Sequence, residues 1–235
     1  MQFLDEEWSW KYMTLQQYVE ERNYPVSWET FFEKEDVRHE IKNISDNLDF
    51  STEDIYPEIN NVFKAFIPLE KIKVVILGQD PYHDGNAVGI SFSVPKNSRI
   101  NPSLRNIYTE LKNEGYNNIK EDGSLIHWVK QGCFMLNTAL TVEKNNPNSH
   151  TALWYNFTKL LIEYISSNTN NVSWILMGKN AIEIKKWLSN PNHTIFCCSH
   201  PSPFSANRNI GSYPSFLGSN VFKNVNNILA EKIVW

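Results

Sequence analysis

The stretch Lys73-Val-Val-Ile-Leu-Gly-Gln-Asp-Pro-Tyr-His83 decides the fold. Its first half is a short unbroken apolar run, the pattern of a strand buried on both faces. Its second half breaks at a glycine into polar chain stiffened by proline. Three more runs read as buried strands: Cys133 to Leu136, Val172 to Met177 and Thr194 to Cys198. Helical patterns lie between them. Leu104, Ile107, Tyr108 and Leu111 recur at helical spacing, opened by Pro102 and Ser103 and stopped by Gly115. Leu153, Phe157, Leu160, Leu161, Tyr164 and Ile165 form a broader stripe with Ser149 as its expected cap. Ala181 to Leu188 and the set Phe222, Val225, Ile228 and Leu229 complete the series. Strands alternating with helices of this length predict an α/β fold, a central four-stranded parallel β-sheet flanked by helices on both faces.

Each predicted strand runs into an unusual loop: Gly78 to His83, Asn137-Thr138, Gly178-Lys179 and Ser199 to Ser205. Open parallel sheets bind ligands at the carboxyl ends of their strands, so the four loops are expected to share one mouth.

At 235 residues, 41% hydrophobic and 13% aromatic, the chain has ample material for a core, which excludes disordered and fibrous classes. No apolar run approaches the roughly 20 residues of a membrane-spanning helix. The acidic start Met1-Gln-Phe-Leu-Asp-Glu-Glu-Trp8 resembles neither a secretory signal nor a transit peptide, so the protein is expected inside the cell, in cytoplasm or nucleus. Cys133, Cys197 and Cys198 fit neither a disulfide framework nor paired CxxC zinc spacing and read as reduced thiols. Net charge is −4, but unevenly spread: residues 1–70 carry −10 and residues 71–235 carry +6. A polyanion is therefore expected to meet the second part, and the acidic part is either a solvated helix pair or a surface for a protein partner.

The loops carry chemistry. Asp80, at the end of a buried strand, suits stabilisation of developing positive charge or orientation of a water that His83 shares. In His200-Pro-Ser-Pro-Phe-Ser205 a neutral imidazole suits an oxyanion on a leaving group, two hydroxyls suit phosphate oxygens, and Phe204 suits a wedge into stacked bases. The Asn137 amide suits a ligand edge that offers both a donor and an acceptor, and Phe92, in an extended segment Gly89 to Val94, is either a stacking platform or ordinary core. Ser103 at a helix start and Lys179 after a glycine suit phosphates. The blander alternatives are a turn at Asp80-Pro81 and a proline-rich connection at His200. His83, His193 and His200 lack metal-ligand spacing, and neither GxxxxGK[ST] nor GxGxxG occurs, which disfavours a metal centre and a nucleotide-triphosphate or dinucleotide enzyme.

Together, Val74-Val-Ile-Leu-Gly-Gln-Asp-Pro-Tyr-His83, Gly89-Ile-Ser-Phe92, Pro102-Ser-Leu-Arg-Asn-Ile-Tyr108, Leu136-Asn-Thr-Ala-Leu-Thr-Val142 and His200-Pro-Ser-Pro-Phe-Ser205 resemble family 1 uracil-DNA glycosylases. The resemblance runs from about Val26 to the C-terminus. It implies one catalytic domain over residues 26–235, with residues 1–25 a helical extension packed on it. It also implies a monomer that flips uracil from single- or double-stranded DNA and hydrolyses its N-glycosidic bond without metal or organic cofactor. By the same resemblance Asp80 stabilises the cationic sugar and positions water with His83, and neutral His200 supports the uracil anion beside the backbone at Gln79. Asn137 reads the base edge, Phe92 stacks on it and Tyr82 crowds out a thymine methyl. Ser103, Lys179, Ser202, Phe204, Ser205 and Arg208 meet DNA.

Three features depart from the family pattern. Phe204 stands where leucine is usual, Lys179 where serine is usual, and Asp84-Gly-Asn-Ala-Val88 is one residue short. Two other readings use the same fold: a replication-accessory DNA-binding protein that recruits a partner through its acidic N-terminal region, and a glycosylase of altered base preference. The joint presence of Asp80, His200, Asn137, Phe92 and Tyr82 argues against the first, and Asn137 with Tyr82 against the second.

Overall fold

The computed structural model describes residues 9–48 and 54–235. The short helix α1 (Leu15–Glu20) opens it, closed at its start by a capping box between Thr14 and Gln17. Helices α2 (Glu29–Phe32) and α3 (Glu35–Asn47) follow, then β1 (Ile55–Tyr56) and β2 (Val74–Gly78). After a long loop come α4 (Pro102–Asn113), α5 (Ile126–Val129), β3 (Cys133–Asn137), β4 (Val142–Glu143), α6 (Thr151–Asn168), β5 (Ser173–Met177), α7 (Lys179–Glu183), β6 (Thr194–Cys198) and α8 (Val221–Ile228).

Strands β2, β3, β5 and β6 form the parallel sheet that the apolar runs predict, in the order β3-β2-β5-β6. From β2 the chain crosses to one side and later returns to the other, so the connections diverge between β2 and β5. Such a switch point leaves a crevice at the carboxyl edge. The alternation along each strand divides the core. Val75, Leu77, Phe134, Leu136, Trp174 and Leu176 face an aromatic core shared with α1, α2, α3 and α6. Val74, Ile76, Cys133, Met135, Ile175 and Met177 face a second core with α4, Trp128 of α5, Phe222 of α8 and Trp235. Each fully buried large side chain, such as Trp28, Phe31 or Phe134, contributes roughly 1.5–3 kcal/mol.

The acidic region is built onto the first core. In α3, Val37, Ile41 and Ile44 are buried at helical spacing while Glu35, Asp36 and Asp46 stay exposed. Leu15 and Val19 of α1 join the same core, and the Trp10 indole donates to the Pro57 carbonyl at 2.8 Å. Trp8, which the sequence groups with Trp10 and Tyr12, lies outside the described residues.

Several local expectations need correction. Ser149 does not cap α6: its hydroxyl accepts from the Glu143 backbone, and His150 occupies the cap position with its ring bonded to the Thr141 hydroxyl and not to the helix backbone. The segment from Gly89 to Val94 is no strand, because Phe92 takes a φ of +63° that turns the chain. The helix expected over Ala181 to Leu188 begins at Lys179, ends at Glu183 and continues as a 3₁₀ turn over Ile184–Trp187. Strand β6 is an edge strand, and its start at Thr194 is exposed.

Candidate active site

The carboxyl ends of β2 and β3, the loops that follow β2 and precede α6, and the loop after β6 enclose a cavity of about 510 Å³. Gln79, Asp80, Tyr82, His83, Phe92 and Asn137 all line it. So do Ser103, His200, Ser202 and Phe204.

One wall is built around Asp80. The strand ends at Gly78, and one Asp80 oxygen accepts the backbone N–H of Asn148 at 2.7 Å. Asn148 sits at φ +67° in the loop before α6, and its side chain also accepts from the Gln79 amide. That loop is held in turn by the Asn145 N–H, which donates to the His83 carbonyl at 2.9 Å. The Gln79 carbonyl accepts from the Thr138 hydroxyl and the Ala139 N–H, tying the Asp80 loop to the end of β3. The His83 Nδ1 is buried and has no hydrogen-bond partner in the structure.

Asn137 lies at the floor. It ends β3 directly opposite Gly78 of β2 and is only 8% exposed. A Cβ at position 78 would come within 2.2 Å of the Asn137 Oδ1, so the missing side chain there lets the amide lie across the strand end. Phe92 is buried beside it, with its ring centroid 6.0 Å from that of His200. The Tyr82 hydroxyl donates to the Phe92 carbonyl at 3.1 Å, and burial pushes its pKa up to about 12, so it stays protonated.

The opposite wall is His200. Burial lowers its pKa, which favours the uncharged ring. The Ser202 N–H donates to Nδ1 at 3.0 Å, so Nδ1 is the acceptor and the neutral ring carries its proton on Nε2. The loop is fixed by Asn106 of α4, which donates to the Pro201 carbonyl, and by the Ser199 hydroxyl, which donates to the Ser205 carbonyl while accepting from Phe216 N–H. Gly178, at φ +89°, lies so close that a Cβ would sit 2.9 Å from the Cβ of His200.

The remaining residues divide in two. Ser103 in the first turn of α4, Ser202 and Phe204 border the cavity, and Phe204 is 87% exposed at its rim. Lys179 and Ser205 instead line an adjoining groove of about 350 Å³ that shares Gly78, Gln79, His200 and Ser202 with the cavity. Arg208 is exposed and lines neither. Among the described residues no three His, Cys, Asp or Glu side chains gather in a metal-binding group. His193, far from the other two histidines' cavity, bonds to Val172 N–H and the Ser166 carbonyl. Sequence reasoning missed Asn148. The signal was its Asn-Pro-Asn context, which reads as an ordinary turn.

A carboxylate, a neutral imidazole, an amide and an aromatic face around one cavity define an α/β protein with a pocket for a flat polar ring. A model of the uracil DNA glycosylase superfamily matches residues 65–230. The uracil-DNA glycosylase of Psychromonas ingrahamii is 47% identical over 191 residues, 77% of this chain and 85% of its own. That of Aliarcobacter butzleri is 40% identical over 221 residues, 89% of this chain and the whole of its own. Among solved structures, mimivirus uracil-DNA glycosylase superposes with a TM-score of 0.84 at 31% identity, covering 92% of this chain and 88% of that one. A mimivirus variant solved in complex with UGI gives the same TM-score at 32% identity, over 92% and 90%. The chain belongs to the uracil-DNA glycosylase superfamily.

Proposed function

We propose that this protein excises uracil from DNA, flipping the nucleotide and hydrolysing its N-glycosidic bond to leave free uracil and an abasic site. The observation that carries the reading is the sharing of one cavity by Asp80, His200 and Asn137.

Uracil departs as a delocalised anion and leaves a sugar with cationic character, so charge must be stabilised at two ends. The Asp80 carboxylate serves the sugar end and orients the attacking water, with His83 as the second group on that water. At the base end the Nε2–H of neutral His200 donates to uracil O2, aided by the backbone near Gln79. The Asn137 amide pairs with the O4/N3–H edge, Phe92 stacks on the ring and Tyr82 occupies the space that a 5-methyl group requires. Ser103, Ser202 and Ser205 hold phosphates, Lys179 adds a charge contact, and Phe204 fills the gap left in the stack, with Arg208 on the flanking backbone. Extrusion costs a few kcal/mol, which these contacts offset.

The test is a duplex oligonucleotide with a single uracil, incubated with chelator and then treated with alkali. Strand scission at uracil and none at thymine or cytosine is the expected result. Failure to release uracil from both single and double strands would refute the reading.

A further inference from the structure

A third depression, of about 220 Å³, opens where the groove holding Lys179 and Ser205 ends. Asn180 lines both, and Thr138, which bonds to the Gln79 carbonyl, lines the depression. Cavity and groove share four lining residues and groove and depression share Asn180, so the three lie in series as a trench with the depression at its far end. None of the roles above uses its far end.

The chemistry of that end differs from the rest. Tyr155 is half exposed and meets Trp187 edge to face, with ring centroids 5.4 Å apart. The Lys186 ammonium lies 5.4 Å from the centroid of Trp187. Glu183 also lines the depression and offsets that charge, so the lining suits a neutral group better than a phosphate. The Thr151 hydroxyl in its lining is buried and has no hydrogen-bond partner in the structure. The volume lies below the roughly 300–1,000 Å³ of pockets for drug-sized ligands, so it admits one planar ring and little else.

We infer that this depression is a stacking subsite for one unpaired nucleobase of the strand flanking the excised uracil. The inference rests on the proposed function, since it needs DNA in the trench. The groove with Lys179, Ser202 and Ser205 carries the phosphates between the two nucleotides, and Tyr155 with Trp187 receives the next free base. Aromatic stacking of this kind tolerates any base. In a duplex, pairing keeps that base in the helix, so the subsite operates on single strands only.

The experiment is an abasic scan. Single-stranded oligonucleotides carry one uracil and one base-free sugar, placed in turn at each of four positions on either side, and kcat/KM for uracil release is measured. The inference predicts one position at which removing the base lowers kcat/KM about tenfold, chiefly through KM, with small effects elsewhere. In Tyr155→Ala the ratio between intact and base-free substrate at that position falls to about one. A flat scan with wild-type protein, or a ratio unmoved by Tyr155→Ala, would overturn the subsite while leaving uracil excision intact. Absence of excision from the fully intact strand would instead overturn the function itself.

Discussion

The two walls of the cavity are built differently. The Asp80 wall is assembled from distant parts of the chain, because its carboxylate is fixed by an amide 68 residues away in the loop before α6. In the His200 wall the loop is also anchored by α4, but the ring itself is held locally, by an amide two residues on in the same loop. Both groups are half-buried, but one wall presents a carboxylate and the other a ring whose desolvation favours the neutral form. In the proposed reaction, charge stabilisation at two ends of one bond thus comes from two unrelated local solutions. They differ in what disturbs them.

His200→Ala removes the donor at the base end, and single-turnover excision should fall by about 10²–10³-fold. The wild-type pH profile sharpens the point. Burial lowers the imidazole pKa, so the neutral ring persists below the ordinary value of 6.5. Protonation at still lower pH places a proton on Nδ1 and breaks its bond from Ser202. kcat/KM should hold level as pH drops through 6.5 and decline only below it. A decline beginning above 6.5 would contradict the neutral ring.

Gly78→Ala probes the junction between the walls. Its Cβ would meet the Asn137 Oδ1 at 2.2 Å and the Ser91 Cβ at 2.9 Å, so the amide must move. Thermal or denaturant unfolding should show a loss of roughly 1–3 kcal/mol. Uracil excision should fall more than the remaining folded fraction explains, and activity that simply tracks folding would remove Asn137 from base recognition.

Asn148→Gly separates the two bonds that Asn148 makes. Glycine keeps the positive φ and the amide that reaches Asp80, while the contact with Gln79 disappears. Loss of one such hydrogen bond predicts a rate decrease of roughly two- to tenfold. A collapse comparable to His200→Ala would mean that the side chain, not the amide, holds the wall.

Lys179→Ser should produce the smallest change. One phosphate contact fewer reduces the slope of log binding constant against log salt by about 0.9, measured on uracil-containing duplex. An unchanged slope would take Lys179 out of the phosphate groove.

The sheet was legible because β2, β3 and β5 are buried on both faces and so read as unbroken apolar runs. The polar loops after them announced the mouth for the same reason, since each departs abruptly from such a run. The antiparallel pair β1 and β4 was not legible. Each is two residues long, too short for any periodicity, yet the pair helps carry the loop that supports Asp80. Phe92 was legible as a candidate but not in its backbone turn, because positive φ in a bulky residue is imposed by tertiary packing. Asn148 was hidden because its use lies in a backbone amide, which every residue but proline possesses.

The proposed function stands on the Asp80 carboxylate acting on the reacting sugar. Single-turnover excision with Asp80→Asn, an isosteric change, on a uracil-containing duplex at saturating enzyme should fall by about 10³-fold or more with DNA binding nearly unchanged. A rate within tenfold of wild type would contradict it.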